Sequence, residues 1–458
     1  MKQFIFPLHK EAPKYKQIYE NIRLLIEKGQ LKSDEQLPSI RQLAETLKVS
    51  RNTTLIAYEQ LIAEGYIRSE LKKGYFVEKY EPIFIQVKQS LNRAENTEGD
   101  QYIIDFRAGA VDQASFPLKK WRKCANEVLH EQQSYIYGNR QGEECLRKQI
   151  SNYLFQSRGI DTTAESIVIG SSTQQMLMHI SLLLRKRFSS IILENPGYRG
   201  ARSVFECIGY NVEAIDIGAK GINMDQLEKM QSKLIYVTPS HQYPTGTTIP
   251  IQERQQLLQW AMSNGGYIFE DDYDSEFRYK QQPIPALASL NQDCVIYVSN
   301  FSKAFLPSLR LSYMVLPENL LEEYQKMFAA FEQAASSLHQ RAMARFMEKG
   351  YWESHIRKMR AVYKQKMQEL VNALERRFGD AIEVIGQHSG LYILVRIQTL
   401  YSEEDLIGKA KRHGVKVYPT SMYYITGQPD TAMLKLGFTN CSIEEIRQGV
   451  ELLYEAWK

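Results

Sequence analysis

The most constraining feature of the sequence is an alternation, from Tyr102 onward, of short apolar runs with amphipathic helical stretches. The apolar runs are SIVIG (166–170), SIILE (190–194), KLIYVT (233–238), GYIFED (266–271) and VIYVS (295–299). Their continuous apolar character is typical of parallel strands that are buried on both faces. Such strands, alternating with helices, predict an α/β sheet. From about residue 380, a shorter pattern of strands and one helix predicts a smaller α+β subdomain.

The beginning of the chain has a different character, because helical periodicity dominates it. The predicted elements are helices at 14–28, 40–47 and 51–64 and strands at 66–69 and 74–78. Gly29 ends the first helix, and Ser39 is placed to cap the second. Three helices followed by a small hairpin predict a winged helix-turn-helix, which is an α+β module.

These patterns divide the chain into a helix-turn-helix domain at 1–78, a linker at 79–101 and an α/β body at 102–458. A length of 458 residues fits two or three domains. Of the 57 basic and 53 acidic residues, 14 and 10 lie within residues 1–80, which leaves 43 of each in the remainder. The excess positive charge is therefore confined to the small domain, as expected if that domain faces an anion such as a nucleic acid.

Composition excludes several classes of protein. With 43% hydrophobic and 24% charged residues, the chain is neither disordered along its length nor collagen-like. No run approaches the roughly 20 apolar residues of a membrane span, so we expect no membrane association. The five cysteines, an odd number without a CxxC pair, indicate reduced thiols in a cytoplasmic protein, and no metal site is predicted.

Polar residues cluster at the start of the third predicted helix. In a helix-turn-helix, the first residues of the second helix of the motif reach base edges. Arg51 can pair with guanine and Asn52 with adenine. Further contacts, to phosphates and at the wing, are predicted for Ser39, Thr53, Tyr58, Lys73 and Gly74. The alternative is a solvated helical bundle that binds no DNA.

The string LPSxRxLAxxLxVSRxTxxxAYxxLxxEGYI…GYFV, at residues 37–77, resembles the winged helix of the GntR family of transcriptional regulators. The resemblance covers nearly the whole small domain. It implies binding to a double-stranded DNA operator. The contacts that it implies are Arg41, Ser50, Arg51, Asn52 and Thr53, with Gly74 at the wing.

In the body, the main chemical signal is Lys303 within SNFSKAFLPSLRLSY (299–313). A lysine forms a Schiff base only when its amine is partly neutral, which burial or neighbouring cations promote. Arg310 carries a planar fork that suits a phosphate group. A lone lysine is more often a surface charge, so the prediction depends on the residues upstream.

The upstream motifs each follow a predicted strand. Asp271 and Tyr273, in YIFEDDYDSEF, suit the ring nitrogen and the ring hydroxyl of a pyridoxal group. Tyr198, in ENPGYRG, is placed to stack on such a ring. The small-residue turn in VIGSSTQQMLMHISLLL opens a helix whose N-terminus favours a phosphate, and YPTG (243–246) is a further tight turn. Because the carboxyl ends of parallel strands are where α/β folds bind ligands, these motifs together predict one site.

This order of motifs resembles the fold-type I aminotransferases that use pyridoxal 5′-phosphate (PLP), over residues 102–458. With the small domain, the chain is similar to MocR-type regulators, the GntR subgroup that contains the GABA-responsive and pyridoxine-synthesis regulators. The resemblance implies a homodimer that holds PLP as a Schiff base on Lys303. The other implied cofactor contacts are Asp271, Tyr273, Tyr198, Ser172, Thr173, Gln174, Ser302, Arg310 and Tyr137. Tyr137 would reach the phosphate in the partner subunit.

Three positions depart from the aminotransferase pattern. Tyr243 stands where many aminotransferases have an Asn that bonds the ring oxygen, and Asn300 replaces a frequent Ser. Lys435, in MLKLGF, stands in place of the Arg that clamps a substrate carboxylate, and a lysine is a point charge rather than a bidentate fork. Lys435, Arg199 and Arg202 are candidate effector contacts, and a surface position is the alternative for each of the two arginines.

We therefore predict a PLP-dependent transcriptional regulator and not an enzyme. Its DNA binding would be modulated by PLP itself, which we favour slightly, or by an amino-group effector that forms an external aldimine. One alternative is an active PLP-dependent aminotransferase with an accessory DNA-binding head, against which the departures at 243 and 435 argue. Another is a vestigial fold that only dimerises, against which the joint presence of Lys303, Asp271, Tyr273 and Arg310 argues.

Overall fold

The computed structural model of the protein describes residues 4–9, 12–79, 102–218, 221–279, 284–427 and 431–458. The chain forms two compact units, residues 1–99 and residues 100–458, which we call the head and the body. Across these described ranges, no helix is both long enough and apolar enough to cross a membrane.

The head is a winged helix-turn-helix. Its elements are α1 (Lys14–Glu27), β1 (Gln36–Leu37), α2 (Ile40–Leu47), α3 (Arg51–Ala63), β2 (Ile67–Glu70) and β3 (Gly74–Val77). Ser39 caps α2 in a capping box with Gln42, and the Ser50 hydroxyl caps α3 by accepting from the Thr53 backbone N–H at 3.1 Å. The strands form an antiparallel sheet in the order β1-β3-β2. Strand β1 has only two residues, which is too short for a sequence period to reveal.

The head has its own apolar core, formed by facing sides of the helices. Ile18 and Ile22 of α1 and Leu61 of α3 are fully buried, at the spacing that places residues i and i+4 on one face. Tyr58 belongs to the same core, and its hydroxyl donates to the carbonyl oxygen of Pro38 at 2.8 Å. This hydrogen bond ties α3 to the residue that precedes the α2 cap.

The body contains the predicted α/β sheet and a smaller sheet. Its strands are β4 (Ile104–Asp105), β5 (Ile167–Gly170), β6 (Ser190–Asn195), β7 (Asn211–Gly218), β8 (Gly221–Ile222), β9 (Leu234–Val237), β10 (Tyr267–Asp271), β11 (Val295–Asn300), β12 (Ser312–Val315), β13 (Ile382–Ile385), β14 (Tyr392–Ile397), β15 (Val415–Lys416), β16 (Tyr418–Pro419) and β17 (Met433–Gly437). All five strands predicted from apolar runs are present.

The helices of the body alternate with these strands. They are α4 (Leu118–Leu129), α5 (Glu144–Arg158), α6 (Thr173–Leu184), α7 (Arg199–Ile208), α8 (Met224–Leu227), α9 (Ile251–Asn264), α10 (Leu287–Leu290), α11 (Glu318–Met327), α12 (Ser337–Glu348), α13 (Tyr351–Phe378), α14 (Glu403–Arg412) and α15 (Ile443–Trp457). Buried apolar residues cover both faces of the large sheet in two separate clusters, as a buried parallel sheet requires.

The large sheet has eight strands in the order β5-β12-β11-β10-β9-β6-β7-β8. Strands β11, β10, β9, β6 and β7 are parallel neighbours. Strand β12 is antiparallel to both β11 and β5, so β5 runs in the same direction as the parallel group. Segments that follow β5, β6, β9, β10 and β11 therefore leave the sheet at the same edge, which is where the sequence motifs lie.

The C-terminal part forms the predicted smaller subdomain. Strands β13, β14, β17 and β16 make an antiparallel sheet in that order, with α14 and α15 alongside. Strand β15 instead pairs in parallel with β4, which brings the first segment of the body against the last hundred residues. The fold prediction, a winged helix-turn-helix plus an α/β body with an α+β subdomain, is confirmed.

A buried ion pair holds the end of α5 against the large sheet. The Arg158 guanidinium lies 2.7 Å from an oxygen of Asp272, and both side chains are almost fully buried. Arg158 also donates to the Ser240 hydroxyl at 2.7 Å. Removing one member of such a pair leaves an uncompensated buried charge, which is costly.

We expect Arg158→Met to lower the free energy of unfolding of the body by about 3–5 kcal/mol. All four tryptophans of the chain lie in the body, so tryptophan fluorescence during chemical denaturation follows this unit alone. The matched control is Arg187→Met, which removes an exposed ion pair with Glu323 and should cost at most about 1 kcal/mol. Equal effects of the two substitutions would contradict the structural role given to Arg158.

Candidate functional site

A cavity lies where the five co-directional strands β5, β6, β9, β10 and β11 end. Five of the predicted cofactor contacts line this cavity. Each of them lies at the end of one of these strands or in the segment that follows it. These are Thr173, Tyr198, Asp271, Tyr273 and Lys303. Motifs that are far apart in the sequence thus meet in one place, as expected for a ligand site in a parallel sheet.

The Lys303 amine faces the segment that follows β4. Gly109 has φ +95°, a backbone conformation that favours glycine, and an added Cβ there would lie 2.3 Å from Lys303 Nζ and displace the amine. Burial lowers the pKa of the Lys303 amine below its usual value, while the carboxylates of Asp274 and Asp271 act in the opposite direction. Burial therefore shifts the amine towards its neutral form, which is the form that can attack a carbonyl carbon.

The Asp271 carboxyl group lies at the end of β10 and is buried. Its Oδ2 accepts from the Tyr236 hydroxyl at 2.5 Å, whereas its Oδ1 is buried and has no hydrogen-bond partner among the described residues. Burial raises the pKa of Asp271 to about 7. A protonated pyridine nitrogen would give Oδ1 a donor and favour the ionised carboxylate. The residues present therefore fit a pyridoxal ring.

The N-terminus of α6 forms another wall of the cavity. Thr173 lines the cavity, whereas the Ser172 hydroxyl caps the helix by accepting from the Gln175 backbone N–H at 3.1 Å. Gln174 is exposed, and its side chain donates to the carbonyl oxygen of Gly200 at 3.3 Å. Of the three residues predicted here, only Thr173 faces the cavity directly.

Arg310 and Ser302 lie outside the cavity wall. Arg310 is exposed and adopts a left-handed φ of +54°, and its guanidinium makes no hydrogen bond or ion pair with another described residue. It lies near enough to Tyr198 to lower the pKa of that phenol against the larger effect of burial, which raises it to about 12. The Ser302 backbone N–H donates to the Asn300 side chain at 3.0 Å. An uncommitted guanidinium beside the cavity suits a phosphate.

Two predicted tyrosines differ in their surroundings. Tyr198 precedes α7 and contacts the Tyr243 ring edge-on, at 5.9 Å between ring centroids. Tyr137 is 89% exposed and lies away from the cavity of its own chain. Its contact with a partner subunit stays a prediction.

Lys435 is buried on β17 beneath a group of tyrosines. Its Nζ donates to the hydroxyl of Tyr243 at 2.6 Å and to that of Tyr423. Burial, with a smaller effect of Lys303, lowers the pKa of Lys435 to about 7. No carboxylate forms an ion pair with it among the described residues, and Tyr243 and Tyr392, not Lys435, line the cavity. Lys435, which stands in place of the expected arginine, therefore already donates hydrogen bonds to two tyrosine hydroxyls.

The two other effector candidates have different partners. The Arg202 guanidinium donates to the carbonyl oxygen of Tyr424 at 3.1 Å and lies 3.8 Å from Glu206, so it stabilises the C-terminal loop of the body. Arg199 is exposed at the start of α7, and neither arginine lines the cavity. Both arginines line a smaller neighbouring cavity that shares Tyr198 and Tyr236 with the first, and their role as effector contacts stays a prediction.

Several cavity residues escaped the sequence analysis. Tyr236 and Tyr392 lie within strands, where an aromatic residue is indistinguishable from core. His241 Nδ1 lies 2.9 Å from an oxygen of Asp274 and from the Tyr273 hydroxyl. It stands two residues before the YPTG turn. The only sequence signal was the density of polar residues after β9 and β10.

The start of α3 presents the predicted base contacts. Arg51 and Asn52 are exposed at the first two positions of the helix. The Ser50 and Thr53 hydroxyl oxygens lie 2.7 Å apart at the cap. A helix N-terminus with free arginine and asparagine side chains is suited to base edges and phosphates.

The other predicted DNA contacts of the helices differ in exposure. Tyr58 is fully buried, and its hydroxyl is used by Pro38, so the structure corrects the prediction of a phosphate contact. Burial also raises the pKa of Tyr58 above its usual value. Ser39 caps α2, and Arg41 is exposed in an ion pair with Glu45 at 3.0 Å.

The wing tip is a tight exposed turn. Gly74 has φ +117°, and an added Cβ would lie 3.2 Å from the Gln36 side chain, so the turn needs glycine there. Lys73 is exposed and lies 3.1 Å from Glu70, an ion pair that costs little to open. The wing therefore keeps a basic side chain that is free to meet a phosphate.

The lowered pKa of Lys435 predicts a pH-dependent effect on stability. Because the folded-state pKa of about 7 lies below the unfolded value of about 10.4, the unfolded chain binds more protons between these values, and stability rises with pH there. Lys435→Met removes this dependence. The free energy of unfolding of Lys435→Met, minus that of the parent protein, should be about 2–3 kcal/mol more positive at about pH 6 than at about pH 9. Denaturation followed by tryptophan fluorescence measures both, with the exposed Lys148→Met as control; a difference independent of pH would refute the burial of the charge.

Comparison with protein families agrees with this architecture. The family model described as "Bacterial regulatory proteins, gntR family" matches residues 14–77. The model described as "Aminotransferase class I and II" matches residues 102–453, more than half of the chain. Each matched range lies within one of the two compact units.

Relatives combine the same two parts. The chain is 38% identical over 453 residues to the uncharacterized HTH-type transcriptional regulator YdeL of Bacillus subtilis (strain 168), covering 98% of this chain and 97% of the relative. It is 29% identical over 465 residues to the probable rhizopine catabolism regulatory protein MocR of Rhizobium meliloti, covering 98% and 94%.

A solved structure resembles the body. It is that of LysN, the alpha-aminoadipate aminotransferase of Thermus thermophilus, complexed with N-(5′-phosphopyridoxyl)-L-leucine. Its TM-score is 0.69 at 26% identity, and the match covers 77% of this chain and 91% of that one. The chain therefore belongs to the MocR-type helix-turn-helix transcriptional regulators, in which a gntR-family head is followed by an aminotransferase class I and II body.

Proposed function

We propose that this regulator binds PLP in the cavity of its body and that the bound ligand alters DNA binding by its head. The observation that carries the proposal is that Lys303, whose amine pKa is lowered by burial, and Asp271, whose Oδ1 has no partner among the described residues, line one cavity. The ligand that changes DNA affinity is either PLP itself or an amino compound that reacts with bound PLP. It must bind two conformations of the protein unequally.

The residues around the cavity have distinct roles in this proposal. Lys303 Nζ would anchor the cofactor at its aldehyde carbon, and Asp271 would keep the ring nitrogen protonated. Thr173 and the free Arg310 guanidinium would hold the phosphate, and Tyr198 would cover the ring. PLP, when bound, supplies an electron sink to which amino compounds can be joined.

A regulatory role rather than steady catalysis is favoured by the surroundings of Lys435. Its ammonium already donates to Tyr243 and Tyr423 and is only partly charged near neutral pH. A substrate carboxylate would have to displace these phenols and would meet a point charge. The likeness to LysN supports the second candidate, an aminotransferase, which requires sustained turnover of an amino donor and a keto acceptor.

We further propose that the regulator is a homodimer that acts on operator DNA in the cytoplasm. The exposed Tyr135, Ile136 and Tyr137 form an apolar segment that a second copy would cover, and Tyr137 would then reach the phosphate of the partner's cofactor. A two-fold dimer would read two half-sites.

The first test is the visible absorption of the full-length protein with PLP. We expect a band that Lys303→Ala abolishes while the fold persists, because no other amine would be joined to the aldehyde. The matched control is Lys148→Ala, an exposed lysine paired with Glu144, which should keep the band.

The same spectrum separates the candidate ligands. The probes are GABA, D-alanine, L-alanine and taurine. A band that one amine shifts names the effector class, and a band that none shifts favours PLP itself. Steady consumption of the amine with a keto acceptor would establish the aminotransferase instead. No band in the parent protein would leave a body that only dimerises.

The second test concerns the head. We expect Arg51→Ala to weaken binding by about 10- to 100-fold, equivalent to about 1–3 kcal/mol, and to relax base preference. The probe is a duplex that the parent protein selects from a random library, and binding is measured at several salt concentrations. Tyr58→Phe is the control, because the buried hydroxyl contacts Pro38 and not solvent; a loss as large as that of Arg51→Ala would contradict the interface described here.

A further inference from the structure

Behind the cavity, Asp274, His241 and Tyr273 form a continuous hydrogen-bonded group. His241 Nδ1 lies 2.9 and 3.1 Å from the two carboxylate oxygens of Asp274 and 2.9 Å from the Tyr273 hydroxyl oxygen. The Tyr273 hydroxyl also lies 3.3 Å from that of Tyr392. Asp274 and His241 are buried, and both Asp274 and Tyr273 line the cavity. None of these contacts to His241 is needed for the function proposed above.

The acceptor chemistry of a carboxylate assigns the protons in this group. An ionised carboxylate only accepts hydrogen bonds, so the His241 nitrogen that faces Asp274 carries the hydrogen. The Tyr273 oxygen, equally close to that nitrogen, then accepts from the same N–H. Burial raises the pKa of Tyr273 well above its usual value, so the phenol keeps its own proton. That proton is directed away from His241, towards Tyr392 and the cavity.

Two glycines leave the space that the imidazole ring occupies. At Gly390 an added Cβ would lie 2.0 Å from His241 Cε1, and at Gly246 it would lie 3.2 Å from Nε2. Nε2 is itself buried and has no hydrogen-bond partner among the described residues. A residue needed only for packing would be an apolar ring without this unpaired nitrogen. The polar edge of the ring instead serves the two groups that it contacts, the Asp274 carboxylate and the Tyr273 hydroxyl.

We propose that His241 is a positioning residue, whose Nδ1–H forces the Tyr273 hydroxyl to donate to the oxygen substituent of a pyridoxal ring in the cavity. The inference rests on the proposed binding of PLP. It also accounts for the departure at Tyr243, whose hydroxyl donates to Tyr423 at 2.9 Å and not into the cavity. Because the Tyr243 hydroxyl already donates to Tyr423, Tyr273 is the remaining donor to the ring oxygen. The direction in which the Tyr273 hydroxyl points its proton therefore decides whether the ring oxygen receives a hydrogen bond.

The test is the pH titration of the visible spectrum of the PLP-loaded, full-length protein. His241→Phe keeps a ring of similar volume but removes the N–H. We expect the pH midpoint of the spectral change to rise by about one unit, because a weaker donor to the ring oxygen disfavours its negative charge. His241→Asn places an amide N–H where Nδ1–H was, so its midpoint should return to within about 0.3 of the parent value.

A double-mutant cycle shows whether His241 acts through Tyr273. The other ionisable groups around the Tyr273 ring are unchanged in every variant of the cycle: Asp271, Asp274, Lys303, Tyr243 and Tyr392. Tyr273→Phe should raise the midpoint at least as much as His241→Phe, and the double variant should add nothing further. Additive shifts, or an unchanged midpoint in a folded His241→Phe protein, would overturn the proposal.

Folding is checked for each variant by circular dichroism and thermal unfolding. If His241→Phe does not fold, His241→Gln, whose amide corresponds to Nε2 and not Nδ1, takes its place and should show the same rise. Absence of any visible band in the parent protein would overturn PLP binding and this inference together. A band in the parent protein without the predicted shift would overturn this inference alone.

Discussion

The structure of the body depends on burying an unusually acidic strand end. Glu270, Asp271, Asp272, Asp274 and Glu276 follow one another at the carboxyl end of β10, and all five side chains are buried. Water cannot solvate these carboxylates, so each one requires its own donor. Glu270 accepts hydrogen bonds from two backbone N–H groups at α10, and Asp272 pairs with the arginine at the end of α5. The other three carboxylates contact tyrosine or histidine side chains. Helices α5 and α10 and strand β9 are thereby all tied to one short segment.

This arrangement gives the cavity its chemistry. Of these carboxylates, only Asp271 both lines the cavity and has an oxygen that receives no hydrogen bond from the described residues. Several tyrosines line the cavity, and burial lowers the pKa of Lys303, which also lines it, and of Lys435 on β17. A cavity with these properties binds a cationic ring and resists a second buried charge.

The sequence predicted the parts of the site that depend on local order. Strand ends are marked by apolar runs followed by glycine, serine and acidic residues, and the parallel sheet necessarily brings those ends together. The sequence did not predict contacts that depend on the direction in which a side chain points. Tyr58 carries the same phenol as a surface tyrosine, and only the packing of α3 on α1 shows that it is buried. The grouping of Lys435 with Tyr423 joins residues on β17 and on the loop before it, which no periodicity encodes.

The requirement for glycine at position 109 also limits how such a two-part protein can be assembled. The body begins near Asp100, pairs β4 with β15 almost immediately and then passes directly beside the Lys303 amine. The wall of the ligand cavity is therefore built by the first ten residues after the linker. A different head joined to the body beyond β4 would replace residues that enclose the ligand cavity, so any exchange of heads has to leave the chain intact from β4 onward.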